Sequence, residues 1–146
     1  MKIHLETLVK QDFKTVWQGF TKELFLALTP PYTPVEVIRF DGCKKGDEIH
    51  LEIQFFLFKQ AWHSIVTEQV ETDDEIYFID EGVKLPFFLS YWHHKHRILK
   101  QTEGTLLIDE ITFESMHGFG SLSTYPALYL QFASRQAIYR QWFDAE

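Results

Sequence analysis

Residues 47–56 read DEIHLEIQFF. Ile49, Leu51, Ile53 and Phe55 fall on one side of an extended chain, and Glu48, His50, Glu52 and Gln54 on the other. Successive side chains of a strand point to opposite faces, so the alternation marks a strand with one buried and one wet face. That is the pattern of an antiparallel sheet covered on one side only.

The same period of two runs through the neighbouring segments. VEVIRF (35–40) is a strand, DGCKKG (41–46) a turn, and AWHSIVTEQVE (61–71) and EIYFID (75–80) continue a meander across Thr72-Asp73-Asp74. Two long strands follow, roughly Tyr91–Thr102 and Thr105–Ser115. Upstream, Ile3, Leu5, Thr7 and Val9 alternate as a first strand. Asp12 is placed to cap a helix through FKTVWQGF (13–20), and a second short helix, KELFLAL (22–28), follows Thr21 and is stopped by Pro30 and Pro31. At the other end the period becomes helical. Tyr125, Leu128, Tyr129, Phe132, Tyr139 and Phe143 share one face from Thr124 or Tyr125 to Phe143, with Pro126 in the first turn. A helix of about 19 residues spans some 28 Å, enough to cover one curved sheet.

Composition narrows the function classes. A chain of 146 residues is expected to form one domain, 1–146, with a core that needs no staples. Aromatic residues make up 16%, a load that fits a wide core or an aromatic-lined cavity. A net charge of −7 argues against nucleic-acid binding and against a basic membrane-surface helix. No apolar run reaches the roughly 20 residues of a membrane span, and the N-terminus has no signal-peptide block, so a cytoplasmic protein is expected. Cys43 is the single cysteine, sits in a turn, and has no sequence partner that would mark it as a nucleophile.

The order strand, two short helices, six strands, long helix carries several motifs: Val16-Trp17, Trp62, Pro86-Phe87, Trp92-x-His94-x-His96, Thr105-x-x-x-Asp109 and Phe132-x-x-Arg135. Together they resemble the START and birch-pollen-allergen superfamily (SRPBCC), in particular its bacterial ligand-binding branch. Lys84-Leu85 stands where the branch usually has a glycine, and Ile98 where it has an aromatic. The resemblance implies an α+β helix-grip fold: a curved antiparallel sheet of about seven strands wrapped on a long C-terminal helix, with two short helices after the first strand. It also implies a cavity between sheet and helix for a hydrophobic, lipid-like ligand.

The segment SYWHHKHRI (90–98) holds three histidines, and strand alternation divides them. A two-residue hairpin loop at Glu103-Gly104 would pair Thr102 with Thr105, setting Arg97 against Glu110, His93 against Glu114 and Lys95 against Thr112. Trp92, His94, His96 and Ile98 would then face inward, across from Ser115, Phe113, Ile111 and Asp109. A one-residue slip would set Trp92, His94 and His96 against Glu114, Thr112 and Glu110, so burial favours the first register. His94 and His96 can be weighed as two metal ligands with Asp109 as a third, or as an acid–base group. The plainer expectation is a polar patch in an apolar cavity, with no metal, no cofactor and no assigned catalytic residue.

The expected ligand-binding residues are Trp92, His94, His96, Asp109, Ile111, Phe113, Ile53, Phe55, Phe87, Tyr129, Phe132 and Arg135. Trp17 and Trp62 are expected as core, Glu68 on the surface, and Arg135 paired with a sheet carboxylate, while Phe87, Phe88 and Leu89 form either a gate or ordinary loop packing. The expected function is binding of a small hydrophobic or amphipathic molecule. The alternative is a polyketide cyclase- or dehydratase-like enzyme using His94, His96 and Asp109. Nucleic acid is not an expected partner, and a homodimer is left open.

Overall fold

The computed structural model of the chain describes residues 1–30, 34–55, 57–116 and 121–144. The elements are β1 (Lys2–Val9), α1 (Phe13–Gln18), α2 (Lys22–Ala27), β2 (Val35–Phe40), β3 (Glu48–Gln54), β4 (Lys59–Glu71), β5 (Glu75–Lys84), β6 (Leu89–Lys100), β7 (Thr105–Ser115), α3 (Ser121–Ala133) and α4 (Arg135–Phe143). The seven strands form one antiparallel sheet in the order β1-β7-β6-β5-β4-β3-β2. The architecture is the expected α+β one. Pro31 and Phe56 lie outside the described residues.

Both short helices start on side-chain caps. Asp12 accepts hydrogen bonds from the Thr15 N–H at 3.0 Å and the Thr15 hydroxyl at 2.6 Å, and these bonds hold its carboxyl below the usual carboxylate range. Thr21 Oγ1 accepts the Leu24 N–H at 3.4 Å. Asp12→Ala is expected to cost about 1 kcal/mol, read as a lower urea midpoint with an unchanged slope.

The C-terminal helix differs from expectation in three respects. It begins at Ser121, so Pro126 stands inside it rather than in its first turn and forgoes one ladder bond. It is interrupted at Ser134, whose backbone stays helical (φ −63°, ψ −23°) and donates to the Leu130 carbonyl at 3.0 Å. The Ser134 hydroxyl donates to the Gln131 carbonyl at 2.6 Å, a local bond that competes with the helical ladder. Finally, the buried stripe runs through Thr124, Leu128, Phe132, Tyr139 and Phe143, and Tyr129 lies off it, 40% exposed. Adjacent helical residues are about 100° apart, so Leu128 and Tyr129 cannot both face the sheet squarely.

The β6–β7 hairpin is corrected by two residues. Lys100, not Thr102, pairs with Thr105, and the loop is the four residues Gln101–Gly104. Gly104 has φ +84°, and a Cβ there would lie 2.1 Å from the Val9 carbonyl oxygen, so β1 packs directly against the loop backbone. That close approach, absent from a local reading of the hairpin, sets the longer loop. His96 therefore faces Asp109, His94 faces Ile111, Trp92 faces Phe113 and Ile98 faces Leu107. A slip of two leaves each side chain on its original face. Trp92, His94 and Ile98 are buried as expected. Outside, Arg97 bonds Glu75 at 2.6 Å and Glu110 at 2.8 Å, and Lys95 lies 4.2 Å from the Tyr77 ring centre. The β4–β5 register shifts between Val66 and Glu68, and Glu68 is exposed, meeting the Tyr77 hydroxyl at 3.2 Å.

Most of the buried apolar residues fall into two clusters. One joins Val9, Phe13, Val16, Leu24, Ile76, Ile98, Leu107, Tyr139 and Phe143; the other joins Ile3, Leu5, Leu89, Trp92, Ile111, Phe113, Leu128 and Phe132. Along β6 the inward positions run Trp92, His94, His96, Ile98, so the two histidines occupy the gap between the clusters. On β7, Asp109 fills the same gap between Leu107 and Ile111.

Candidate functional site

Between the sheet and the helices lies a cavity of about 520 Å³. Its sheet wall includes Ile49, Leu51 and Ile53 of β3 and Phe55 just beyond it, together with residues of β4, β5 and β6 such as Trp62, Phe78 and Trp92. Leu24 and Leu28 enclose it from the short-helix side, and Leu128 and Phe132 from the C-terminal helix. Phe55, Phe87 and Phe88 line it too, with ring centres 5.4 to 5.9 Å apart. Phe58, 47% exposed, packs on Phe55 and Phe87, so this aromatic group runs from the cavity to the surface. Leu89 is buried in the core and is not part of it.

Eight of the twelve expected ligand-binding residues line the cavity: Ile53, Phe55, Phe87, Trp92, His94, His96, Phe132 and Arg135. Ile111 and Phe113 do not, because they pack in the second apolar cluster behind the wall. Tyr129 does not, because it faces outward. Asp109 does not either; it is 4% exposed and sits behind the histidines. Trp62 packs against the second apolar cluster, as expected, and also lines the cavity, edge-on to Trp92 at 4.8 Å. Cys43 also lines it, and burial, with Asp80 and Asp47 adding to it, pushes the thiol up to about 12.

The polar part of the wall contains a residue that the sequence argument missed. Asp80 is 7% exposed and lines the cavity. Its Oδ2 is 2.6 Å from His96 Nε2, and its Oδ1 accepts the Trp92 indole N–H at 3.1 Å. The signal for it was present in β5, where Ile76, Phe78 and Asp80 alternate on one face and the first two are buried. On the opposite side of the imidazoles, His94 Nε2 donates to Asp109 Oδ1 at 2.8 Å. The two imidazoles are 3.5 Å apart between ring centres, and Phe78 stacks on His96 at 4.1 Å.

Burial is the first influence on His94, Asp80 and Asp109. It pushes His94 down to about 4, helped by neighbouring His96 and opposed by Asp109 and Asp80, so His94 is neutral near pH 7. Burial opposes ionisation of Asp80 and Asp109 as well, but the histidine bonds outweigh it and hold both carboxyls below their ordinary value. Arg135 is not ion-paired among the described residues, contrary to the expected pairing with a sheet carboxylate. Its guanidinium lies 4.3 Å from the Phe132 ring centre, and its Nε is buried without a hydrogen-bond partner. Its charge nonetheless helps keep Asp109 ionised.

No family model matches the chain, and no curated protein matches it. Solved structures do. A protein of Chromobacterium violaceum superposes with a TM-score of 0.70 at 16% identity, covering 100% of this chain and 99% of that one. A Staphylococcus epidermidis protein gives 0.65 at 18% identity, covering 97% and 88%. Norcoclaurine synthase of Thalictrum flavum, solved in complex with dopamine and hydroxybenzaldehyde, gives 0.59 at 12% identity, covering 94% and 86%. The chain shares the α+β helix-grip fold of these solved structures.

Proposed function

We propose that the protein binds a small, largely apolar molecule between its sheet and its C-terminal helix. The observation that carries this reading is the cavity: about 520 Å³, lined mainly by aliphatic and aromatic side chains, with the cluster of Asp80, His94 and His96 among the polar residues on its wall. A few polar groups in an apolar cavity of several hundred Å³ are the usual make-up of a small-molecule site. Removing apolar surface from water contributes about 25 cal/mol per Å², so the aromatic lining supplies affinity and the polar wall supplies orientation. The sequence motifs of the bacterial ligand-binding branch point the same way.

Ile53→Trp tests the proposal, because Ile53 is 8% exposed and lines the cavity from the strand wall. An environment-sensitive apolar dye is expected to bind the wild type with saturation and to bind Ile53→Trp at least about tenfold more weakly, the loss of some 1.4 kcal/mol. Equal dye binding by both folded proteins would place the dye elsewhere and remove the support for the reading.

The histidine–carboxylate contacts favour a second reading, an acid–base enzyme acting on a molecule held in the same cavity. Under that reading His96→Ala abolishes turnover while leaving dye binding intact.

A further inference from the structure

The four contacts among His94, His96, Asp80 and Asp109 form two sets. At the cavity side, Asp80 Oδ2 is 2.6 Å from His96 Nε2 and 3.8 Å from His94 Nδ1. At the back, Asp109 Oδ1 is 2.8 Å from His94 Nε2 and 3.8 Å from His96 Nδ1. Each imidazole thus turns one nitrogen toward Asp80 and the other toward Asp109. The 2.8 Å contact points His94 Nε2 at Asp109 and leaves its Nδ1 turned toward Asp80 Oδ2, 3.8 Å away and beyond hydrogen-bond reach. His96 Nδ1 is buried and has no hydrogen-bond partner.

We propose that Asp80, His94 and His96 hold a divalent first-row transition-metal ion at the cavity wall. One ligating atom of each lies within 4.8 Å of the others, and all three residues line the cavity while Asp109 does not. An ion between Asp80 Oδ2, His94 Nδ1 and His96 Nε2 would join the three residues by direct bonds. The ion takes the place of the proton between His96 Nε2 and Asp80, and that proton moves to His96 Nδ1, which faces Asp109. Both histidines would show the usual arrangement of metal-bound imidazoles, with the far ring nitrogen directed at a carboxylate. Trp92 fixes the other oxygen of Asp80 by its 3.1 Å bond. Two imidazoles and one carboxylate suit Zn²⁺ and its first-row neighbours better than Mg²⁺ or Ca²⁺, which favour all-oxygen sites. With three protein ligands on the wall, the remaining coordination positions open toward the cavity, where a polar group of a bound molecule would reach them. Ion binding is measured without that molecule, so this inference does not depend on the ligand reading.

The test is titration of untagged, chelator-dialysed protein with Co²⁺ and Zn²⁺, following Co²⁺ visible absorption and bound metal per chain. One equivalent is expected to bind with saturation, with Mg²⁺ unable to displace it. The near-isosteric Asp80→Asn and His96→Gln are each expected to weaken binding by about 100-fold or more while keeping the far-ultraviolet circular dichroism of the wild type. Asp109 is a positioning residue, and Asp109→Asn is expected to weaken binding by about 10–100-fold with a shifted Co²⁺ spectrum. The stacked outer pair His50 and His63, 3.9 Å apart, is the control: the double variant His50→Ala/His63→Ala should bind as the wild type does. Absence of saturable binding in the wild type would overturn the proposal. So would unchanged binding in folded Asp80→Asn and His96→Gln, or loss of binding in the His50/His63 variant.

Discussion

Phe132→Ala is expected to destabilise the protein by about 3–5 kcal/mol, the usual cost of removing a buried aromatic ring. Phe132 is 5% exposed, and its ring centre lies 5.6 Å from that of Trp92 and 5.3 Å from that of His94. It is the point at which the C-terminal helix meets the polar wall and the second apolar cluster together. The contrast is Tyr129, three residues earlier and 40% exposed, where Tyr129→Ala should change stability by no more than about 0.5 kcal/mol. Urea denaturation of the two variants checks both the size of the Phe132 contribution and the face of the helix that packs. Equal losses would place Tyr129 against the sheet and contradict the buried stripe.

Acid is expected to unfold the protein through the same wall. Folded His94 takes a proton only near pH 4, against 6.5 for a free imidazole. In that window the unfolded chain binds a proton that the folded chain refuses, so stability is full above about 6.5 and falls as pH drops toward 4. The complete effect of this buried group is on the order of 3 kcal/mol. Asp80 and Asp109, both held below their ordinary value, add losses of the same sign at lower pH. Urea midpoints of metal-free protein should therefore decline from pH 7 to pH 4.5, and His94→Phe should flatten that decline. A wild-type midpoint constant across this range would contradict a buried neutral His94.

The fold was legible because strand and helix periods survive in single residues. Ile49, Leu51, Ile53 and Phe55 line the cavity as their alternation demands, and Asp12 and Thr21 cap the helices they precede. The two-residue slip at the β6–β7 hairpin escaped local reasoning because it leaves every face unchanged and is set by a distant contact, the Val9 carbonyl against Gly104. Asp80 escaped for a related reason. Its strand was recognised, but only the pairing of β5 with β6 brings Asp80 opposite His94 and within reach of His96. Asp109, by contrast, bonds His94 but lies behind the histidines and not on the cavity wall. Tyr129 was lost to helical averaging, since a wide apolar face in sequence narrows to a stripe once Leu128 and Phe132 take the sheet.

Native mass spectrometry of the untagged protein tests the central claim most directly, because it weighs the chain together with whatever its cavity holds. The account predicts a wild-type chain carrying one small apolar molecule, or accepting one from an added series, and an Ile53→Trp chain that carries and accepts none. A wild-type chain that stays at its bare mass across the series, or an Ile53→Trp chain that takes up the same molecule to the same extent, would contradict it.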